Sequence, residues 1–211
     1  MSGFSIDWLD LREAADHRGR DSALLHRAQD WLVNQAANRQ TILDIGCGTG
    51  STIRAFATLG ERGMPADTQW KLLDHDAALL REAQARHGAD CHLQTLRGDL
   101  TDIDALPLEG VSLLSASALF DLASARFIDQ LVERLAHQAR RQPLAVYAAL
   151  NYDGKTRWTP THPLDSAVLA AFNEDQQRVK SFGPALGPKA AHYLRGKLSA
   201  AGFDVLTADS P

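Results

Sequence analysis

Eight residues constrain this chain more than any others: Leu43-Asp44-Ile45-Gly46-Cys47-Gly48-Thr49-Gly50. The run Thr41, Ile42, Leu43 leads into an acid and three alternating glycines, and Ile53, Ala55, Phe56 and Leu59 follow at helical spacing. That is a buried strand, a tight turn and a helix start. Glycine is needed where backbone bends sharply or lets a ligand come close. The first helical turn offers unpaired N–H groups and the positive end of a dipole, which suit a carboxylate or phosphate. A glycine-rich turn that only links a strand to a helix has the same pattern, so later residues must decide.

Spacing separates two ligand types. A dinucleotide turn reads G-x-G-x-x-G, but here Ser51 stands at the third glycine position. Asp44 stands two residues before the first glycine, where a carboxylate suits a ligand bearing a positive group. The pattern D-x-G-x-G-x-G resembles motif I of the class I S-adenosylmethionine (AdoMet) methyltransferases, whose ligand carries an ammonium and a sulfonium. The resemblance covers residues 41–150 well and the two ends loosely. It implies AdoMet as cofactor, S-adenosylhomocysteine (AdoHcy) as product, and a cofactor site containing Asp44, Gly46, Cys47, Gly48 and Gly50. Asp74, ending a second strand over Gln69–Leu73, is then the acid for both ribose hydroxyls, with His75 beside it. The alternative for Asp74 is a helix cap, although Asp76 is better placed for that. Gly98-Asp99-Leu100 resembles the adenine motif, Asp99 meeting the amine and the Leu100 N–H a ring nitrogen; Ser115 on the fourth strand completes the set.

Composition bounds the rest. The 211 residues suffice for one α/β domain with a sizeable core. A net charge of -4 supplies no global basic field, which disfavours nucleic acid as a partner. Cys47 and Cys91 form neither a metal spacing nor a disulfide framework, and no metal-ligand cluster stands out. No stretch is long and apolar enough to span a membrane, and the start lacks a basic-then-apolar signal pattern. The expectation is a cytoplasmic protein.

The expected fold is α/β: a doubly wound, mostly parallel Rossmann-like methyltransferase sheet, with N-terminal helices and a helical cap inserted after the fifth strand. One domain spans 1–211. It comprises an N-terminal helical lid (1–40), an AdoMet-binding core (41–150), a cap insertion (151–188), and a last helix and strand (189–211). In the lid, Trp8, Leu9, Leu11 and Ala15 form one apolar stripe, and Leu24, Leu25, Ala28, Trp31, Leu32 and Ala36 another. The charged run Asp16–Asp21 is either a solvated turn or a place where Arg12 and Arg20 meet a carboxylate, since arginine binds carboxylates through paired donors. The first core helix ends near Leu59-Gly60, with Gly63 and Pro65 closing the turn. Further strands are expected at Cys91–Leu96, Val111–Ser117 and Leu144–Leu150, with helices at Ala77–His87 and Ala125–Arg140. The cap holds a helix capped by Asp165, with Val168, Leu169, Ala171 and Phe172 as its apolar face. It reads as a specificity lid or as a structural cover for a sheet edge. After a helix near Lys189–Ala201 a last strand is expected at Phe203–Thr207, and no sequence remains for the seventh strand usual in the family. An unpaired edge favours association, so a homodimer is open.

The leading functional reading is methyl transfer to a small-molecule acceptor. A non-catalytic AdoMet/AdoHcy-binding sensor, an RNA or protein methyltransferase, and a nicotinamide oxidoreductase are the alternatives. Tyr152 and Asp121 are the candidates for a catalytic role; for Asp121 the helix-cap reading leads, ahead of an orienting group or a base. His162 and His192 have no identifiable partner in the sequence. Asn151, Asn173, Gln176 and Lys180 join Arg12 and Arg20 as candidate substrate contacts. The N/D-P-P-Y/F motif of exocyclic-amine methylation is absent at Ser115-Ala116-Ser117-Ala118.

Overall fold

The structure is a computed structural model and describes residues 4–35, 39–59, 64–65 and 67–210. Ala36, Gly60 and Gly63 lie outside the described residues. Two compact units divide the chain: one drawn from 1–117, 137–150 and 206–211, the other from 118–136 and 151–205.

The first unit is built on a parallel five-stranded sheet. Its strands are β1 (Thr41–Ile45), β2 (Gln69–Asp74), β3 (His92–Arg97), β4 (Leu113–Ser117) and β5 (Ala145–Ala149), in the order β3-β2-β1-β4-β5. Every residue of β1 is buried, as a central strand packed on both faces requires. The chain steps outward from β1 to β3, then returns to the other side of β1 with β4. That reversal opens a crevice at the carboxyl ends of β1 and β4, where ligands of such sheets bind.

Helices α1 (Ile6–Gly19), α2 (Ser22–Val33), α3 (Ser51–Ala57) and α4 (Ala77–His87) complete this unit. Asp21 caps α2 at Leu24 N (2.7 Å), and Asp76 caps α4 at Ala78 N (2.7 Å). In α2, Leu25, Ala28 and Leu32 are buried, as the apolar stripe required. Phe56 of α3 stands edge-on to Trp70 of β2 and Tyr147 of β5, at centroid separations of 5.8 and 5.9 Å.

The first apolar stripe behaves differently. Trp8 (49% exposed), Leu11 (77%) and Ala15 face outward, and Gly19 is the one buried residue of α1. The helix sets Glu13 and Asp10 against Arg54 of α3 and Arg86 of α4, so its partners on that side are charged rather than apolar. The charged run is therefore mostly helical, with only Arg20 and Asp21 forming the link to α2.

In the second unit, α5 (Ala125–Ala139, shared with the first at its end) presents Phe127, Ile128, Leu131, Val132 and Leu135 as a buried face. Helix α6 (Asp165–Gln176), a two-residue hairpin of β6 (Val179–Lys180) and β7 (Gly183–Pro184), and α7 (Ala190–Ala200) follow. Phe127 packs on Phe182 at 4.7 Å, and Leu186 N donates to Ala123 O at 2.8 Å. Leu164, not Asp165, holds the cap position of α6; Asp165 Oδ2 instead accepts from His162 N (2.8 Å). No residue of α6 is buried, and Val168 and Phe172 of the expected apolar face are exposed.

The expected last strand does not form. Phe203 N closes the end of α7 on Leu198 O (3.0 Å), and residues 203–210 join no ladder. Alternation of Phe203 and Val205 is compatible with a strand, but a strand exists only where its N–H and C=O groups find a partner.

Replacing Phe56 with alanine should destabilise the protein by about 3–5 kcal/mol. Leu11→Ala should stay within about 0.5 kcal/mol, as for an exposed site. Urea unfolding followed by circular dichroism checks both; a large loss for Leu11→Ala would place that side chain in a core.

Candidate functional site

The glycine turn sits at the carboxyl end of β1. Gly46, Gly48 and Gly50 all have positive φ (63°, 55° and 83°), which side-chain-bearing residues adopt only with strain. Leu73 O, at the end of β2, accepts from Gly46 N at 2.8 Å and Cys47 N at 3.3 Å, so the turn is stitched to the neighbouring strand. A Cβ at Gly50 would stand 2.9 Å from His87 Cδ2, so a side chain there would also collide with α4.

Asp74 ends β2 beside this turn and is 6% exposed. Its Oδ2 accepts from Gly48 N and its Oδ1 from Asp76 N, both at 3.0 Å. Each oxygen keeps further acceptor capacity. His75 is mostly exposed, with Nδ1 3.3 Å from Asp74 Oδ1. At the end of β3, Asp99 Oδ1 accepts from Thr101 N and Oγ1 (2.8 Å each); these bonds, aided by the nearby His75, hold its carboxyl below the usual range. The Leu100 side chain is buried.

Asp44 and Ser115 lie beneath the turn, inside the fold. Asp44 is 1% exposed and Ser115 wholly buried, and Ser115 Oγ donates to Asp44 Oδ1. Thr52 Oγ1 of α3 donates to the same oxygen at 3.2 Å. The pair thus fastens β1, β4 and α3 together beneath the crevice. Asp44 Oδ1 is thus occupied by two hydroxyls inside the fold, whatever its other oxygen meets. Burial raises its carboxyl from 3.8 to about 6, against the opposing pull of Ser115, Arg20 and Thr52. Cys47 is buried too; burial, with Asp44 and Asp74 nearby, pushes its thiol well up, so it is a small packing residue.

Arg20 leaves the end of α1 and is 7% exposed. Its Nη2 donates to Ser117 Oγ (2.9 Å) and Ser51 Oγ (3.2 Å), at the ends of β4 and the start of α3. Its Nε and Nη1 are buried and make no well-formed hydrogen bond among the described residues, although the Tyr147 hydroxyl is near enough to feel the guanidinium. A buried guanidinium with two idle nitrogens is an open acceptor demand. Arg12, in contrast, is paired with Asp16 at 2.8 Å.

Sequence reasoning missed the groups that brace the turn. Arg54 donates to Thr49 O (2.7 Å) and Thr49 Oγ1 (3.1 Å), to Glu13 of α1, and its Nη1 lies 2.8 Å from His87 Nε2. Arg54 lies one helical turn beyond Gly50, a spacing that could have flagged it; Glu13 and His87 are joined to it only by the fold.

The remaining candidates belong to the second unit. Tyr152 Oη donates to Asn173 Oδ1 (2.8 Å), and Asn173 Nδ2 donates to Gly154 O (3.0 Å). Asn151 Oδ1 accepts from Phe120 N (3.2 Å), and Lys180 lies 3.4 Å from Asp175. Gln176 packs its backbone against Gly187. Asn151, Asn173 and Lys180 are therefore engaged in bracing this unit's own loops. Asp121 is buried in the 3₁₀ turn Phe120–Leu122.

The family model of a methyltransferase domain matches residues 42–142, the segment that carries the turn, Asp74 and the crevice strands. The matched segment, a little under half of the chain, is similar to a methyltransferase domain, and the parallel five-stranded sheet is the Rossmann-like fold of such domains. AdoMet is the cofactor such domains use, and the site suits it: glycines keep the turn free of side chains, and two nitrogens of Arg20 make no hydrogen bond among the described residues. Among curated proteins none matches the chain at a significant level. Solved structures share the fold. Human N-acetylserotonin methyltransferase, solved with its SAM, is 14% identical with a TM-score of 0.51, covering 93% of this chain and 47% of that one. A Nostoc punctiforme protein provisionally assigned as an O-methyltransferase is 17% identical (TM-score 0.51; 86% and 51% covered). A Bordetella parapertussis protein described as a possible exported protein is 16% identical (TM-score 0.54; 96% and 64% covered). The chain thus spans 47–64% of the length of these proteins. Among the described residues no helix is long and apolar enough to cross a membrane.

The raised Asp44 carboxyl has a testable sign. The folded state holds this proton more tightly than the unfolded chain, so its stabilising effect is full below about pH 3.8. That effect is lost as pH rises through about 6. Asp44→Asn should remove up to about 3 kcal/mol of pH-dependent loss between roughly pH 4 and 7. Urea unfolding of both proteins across that range checks it; parallel curves would show Asp44 titrating normally.

Proposed function

We propose that this chain is an AdoMet-dependent methyltransferase acting on a small-molecule acceptor. The observation that carries the reading is the pairing of Asp74 with the Gly48 N–H at the switch crevice, beside the idle donors of Arg20. Asp74 would accept from the ribose hydroxyls, with His75, Asp99 and the Leu100 N–H toward the adenine. Gly46, Cys47, Gly48 and Gly50 would let backbone approach the ligand, and Arg20 would take the amino-acid carboxylate. Asp44 and Ser115 act beneath them as fasteners.

AdoMet, when bound, supplies an electrophilic methyl group on a sulfonium. The protein's share is then to hold the partners close and aligned, which can contribute on the order of 7–11 kcal/mol. A general base is required only for an acceptor that must lose a proton early. Tyr152 and Asp121 are the proposed candidates for that role, and Asn151, Asn173, Gln176 and Lys180 for acceptor contacts once their internal bonds exchange. The acidic balance favours a small acceptor over nucleic acid. The commitment of Tyr152 to Asn173 favours a second reading, a non-catalytic AdoMet/AdoHcy-binding module; methyl transfer to any acceptor removes it.

Calorimetric titration with AdoHcy tests the proposal. Asp74→Ala and Gly48→Val should each lose binding by at least about tenfold, an energy typical of hydrogen bonds to charged groups. Arg20→Met should weaken AdoHcy by a similar factor and leave 5′-methylthioadenosine, which lacks the carboxylate, unchanged. Unaltered AdoHcy affinity in both Asp74→Ala and Gly48→Val would sink the reading.

A further inference from the structure

Helix α1 lies along the glycine turn by its charged face. Leu9 Cδ1 stands 3.2 Å from where a Cβ of Gly48 would be, so Leu9 fills the space the glycine leaves open. One turn on, Glu13 accepts from Arg54 Nε, and His17 Nε2 lies 3.4 Å from Glu13. At the other edge Asp10 takes both Nη atoms of Arg86 at 2.7 and 2.9 Å, while Arg86 Nε holds Glu82 at 2.7 Å. The apolar contact of α1 with the turn is the half-buried Leu9, while Trp8 and Leu11 face out and only Gly19 is buried. Beyond that contact, its seat on the turn is held by directional, charge-assisted bonds that salt screens and that fail together.

We propose that α1 is an ion-latched lid on the glycine turn, and that Arg54 is a positioning residue linking the lid to the turn. The proposal rests on the reading that this turn binds AdoMet. A ligand that approaches the Gly48 backbone meets Leu9, which α1 carries over the turn. Arg54 holds both the carbonyl and the hydroxyl of Thr49 while its Nε is fixed by Glu13 and its Nη1 faces His87. When α1 lifts, the guanidinium loses its carboxylate and its fixed orientation, so Thr49 and Gly50 relax with the lid. Closing α1 resets the turn. The lid thus governs the rate of cofactor exchange in both directions more than its equilibrium.

The test has two arms. In the ligand-free protein, amide hydrogen exchange is read across residues 8–18. Glu13→Gln should speed it by about tenfold, and raising salt from about 0.05 to about 0.5 M should do the same to the unaltered protein but little to the variant. In stopped-flow AdoHcy binding, Glu13→Gln should raise both kon and koff by about tenfold, with Kd held within about threefold. Arg54→Lys, which keeps the charge but loses the fork, should raise koff with a smaller change in α1 exchange. Unchanged α1 exchange in Glu13→Gln and in salt overturns the proposal. A weakened Kd with unaltered kon also overturns it, because Glu13 would then merely support the site. If AdoHcy fails to bind the unaltered protein, the cofactor reading fails, and the ligand-free exchange arm still decides whether α1 is latched by ions.

Discussion

The first unit depends on one buried carboxylate. Asp44, the last residue but one of β1, receives hydroxyls from Ser115 of β4 and Thr52 of α3. Those three elements border the crevice where the sheet reverses direction, so a single acid sets their spacing. The arrangement is costly, because burial opposes the charge and raises the carboxyl to about 6. The cost is tolerated where the turn above must be held in one conformation. Three positive-φ glycines in five residues would otherwise have many.

A second layer of polar bonding works from outside. Arg54 fixes Thr49 from the helix that follows the turn, and Arg20 reaches Ser51 and Ser117 from the helix above it. The turn is thus clamped from below by a neutralisable acid and from above by two guanidinium groups. Only the upper clamp leaves donors idle, which is why the ligand's anionic end is assigned to Arg20 and not to the sheet. The same geometry explains the inverted polarity of α1. A helix serving a polar site turns its charges inward and leaves Trp8 and Leu11 outside.

Legibility from sequence followed the range of the interactions. The strand, turn and helix around Asp44–Gly50, the apolar face of α2, the cap at Asp76 and the acid at the end of β2 all come from local patterns of a few residues. Periodicity failed for α1, where Trp8, Leu9, Leu11 and Ala15 suggested a core face that the structure puts mostly in solvent. It failed again at Phe203–Thr207, where alternation met no partner strand. Asn173 and Lys180 are typical ligand-binding residue types, yet their side chains are occupied by Tyr152, Gly154 and Asp175.

The sequence by itself determined the α/β class, the glycine turn and the resemblance to methyltransferase domains, because these rest on short-range steric rules and on residue spacing along the chain. Tertiary structure alone decided what each polar group does. It bonded Asp44 to Ser115 and Thr52 across three elements, and left two nitrogens of Arg20 without a hydrogen bond among the described residues. It also joined Glu13, Arg54 and His87 across three helices. The physical reason is that a side chain's burial and partners are set by residues distant in sequence, and no local pattern encodes which of them will meet.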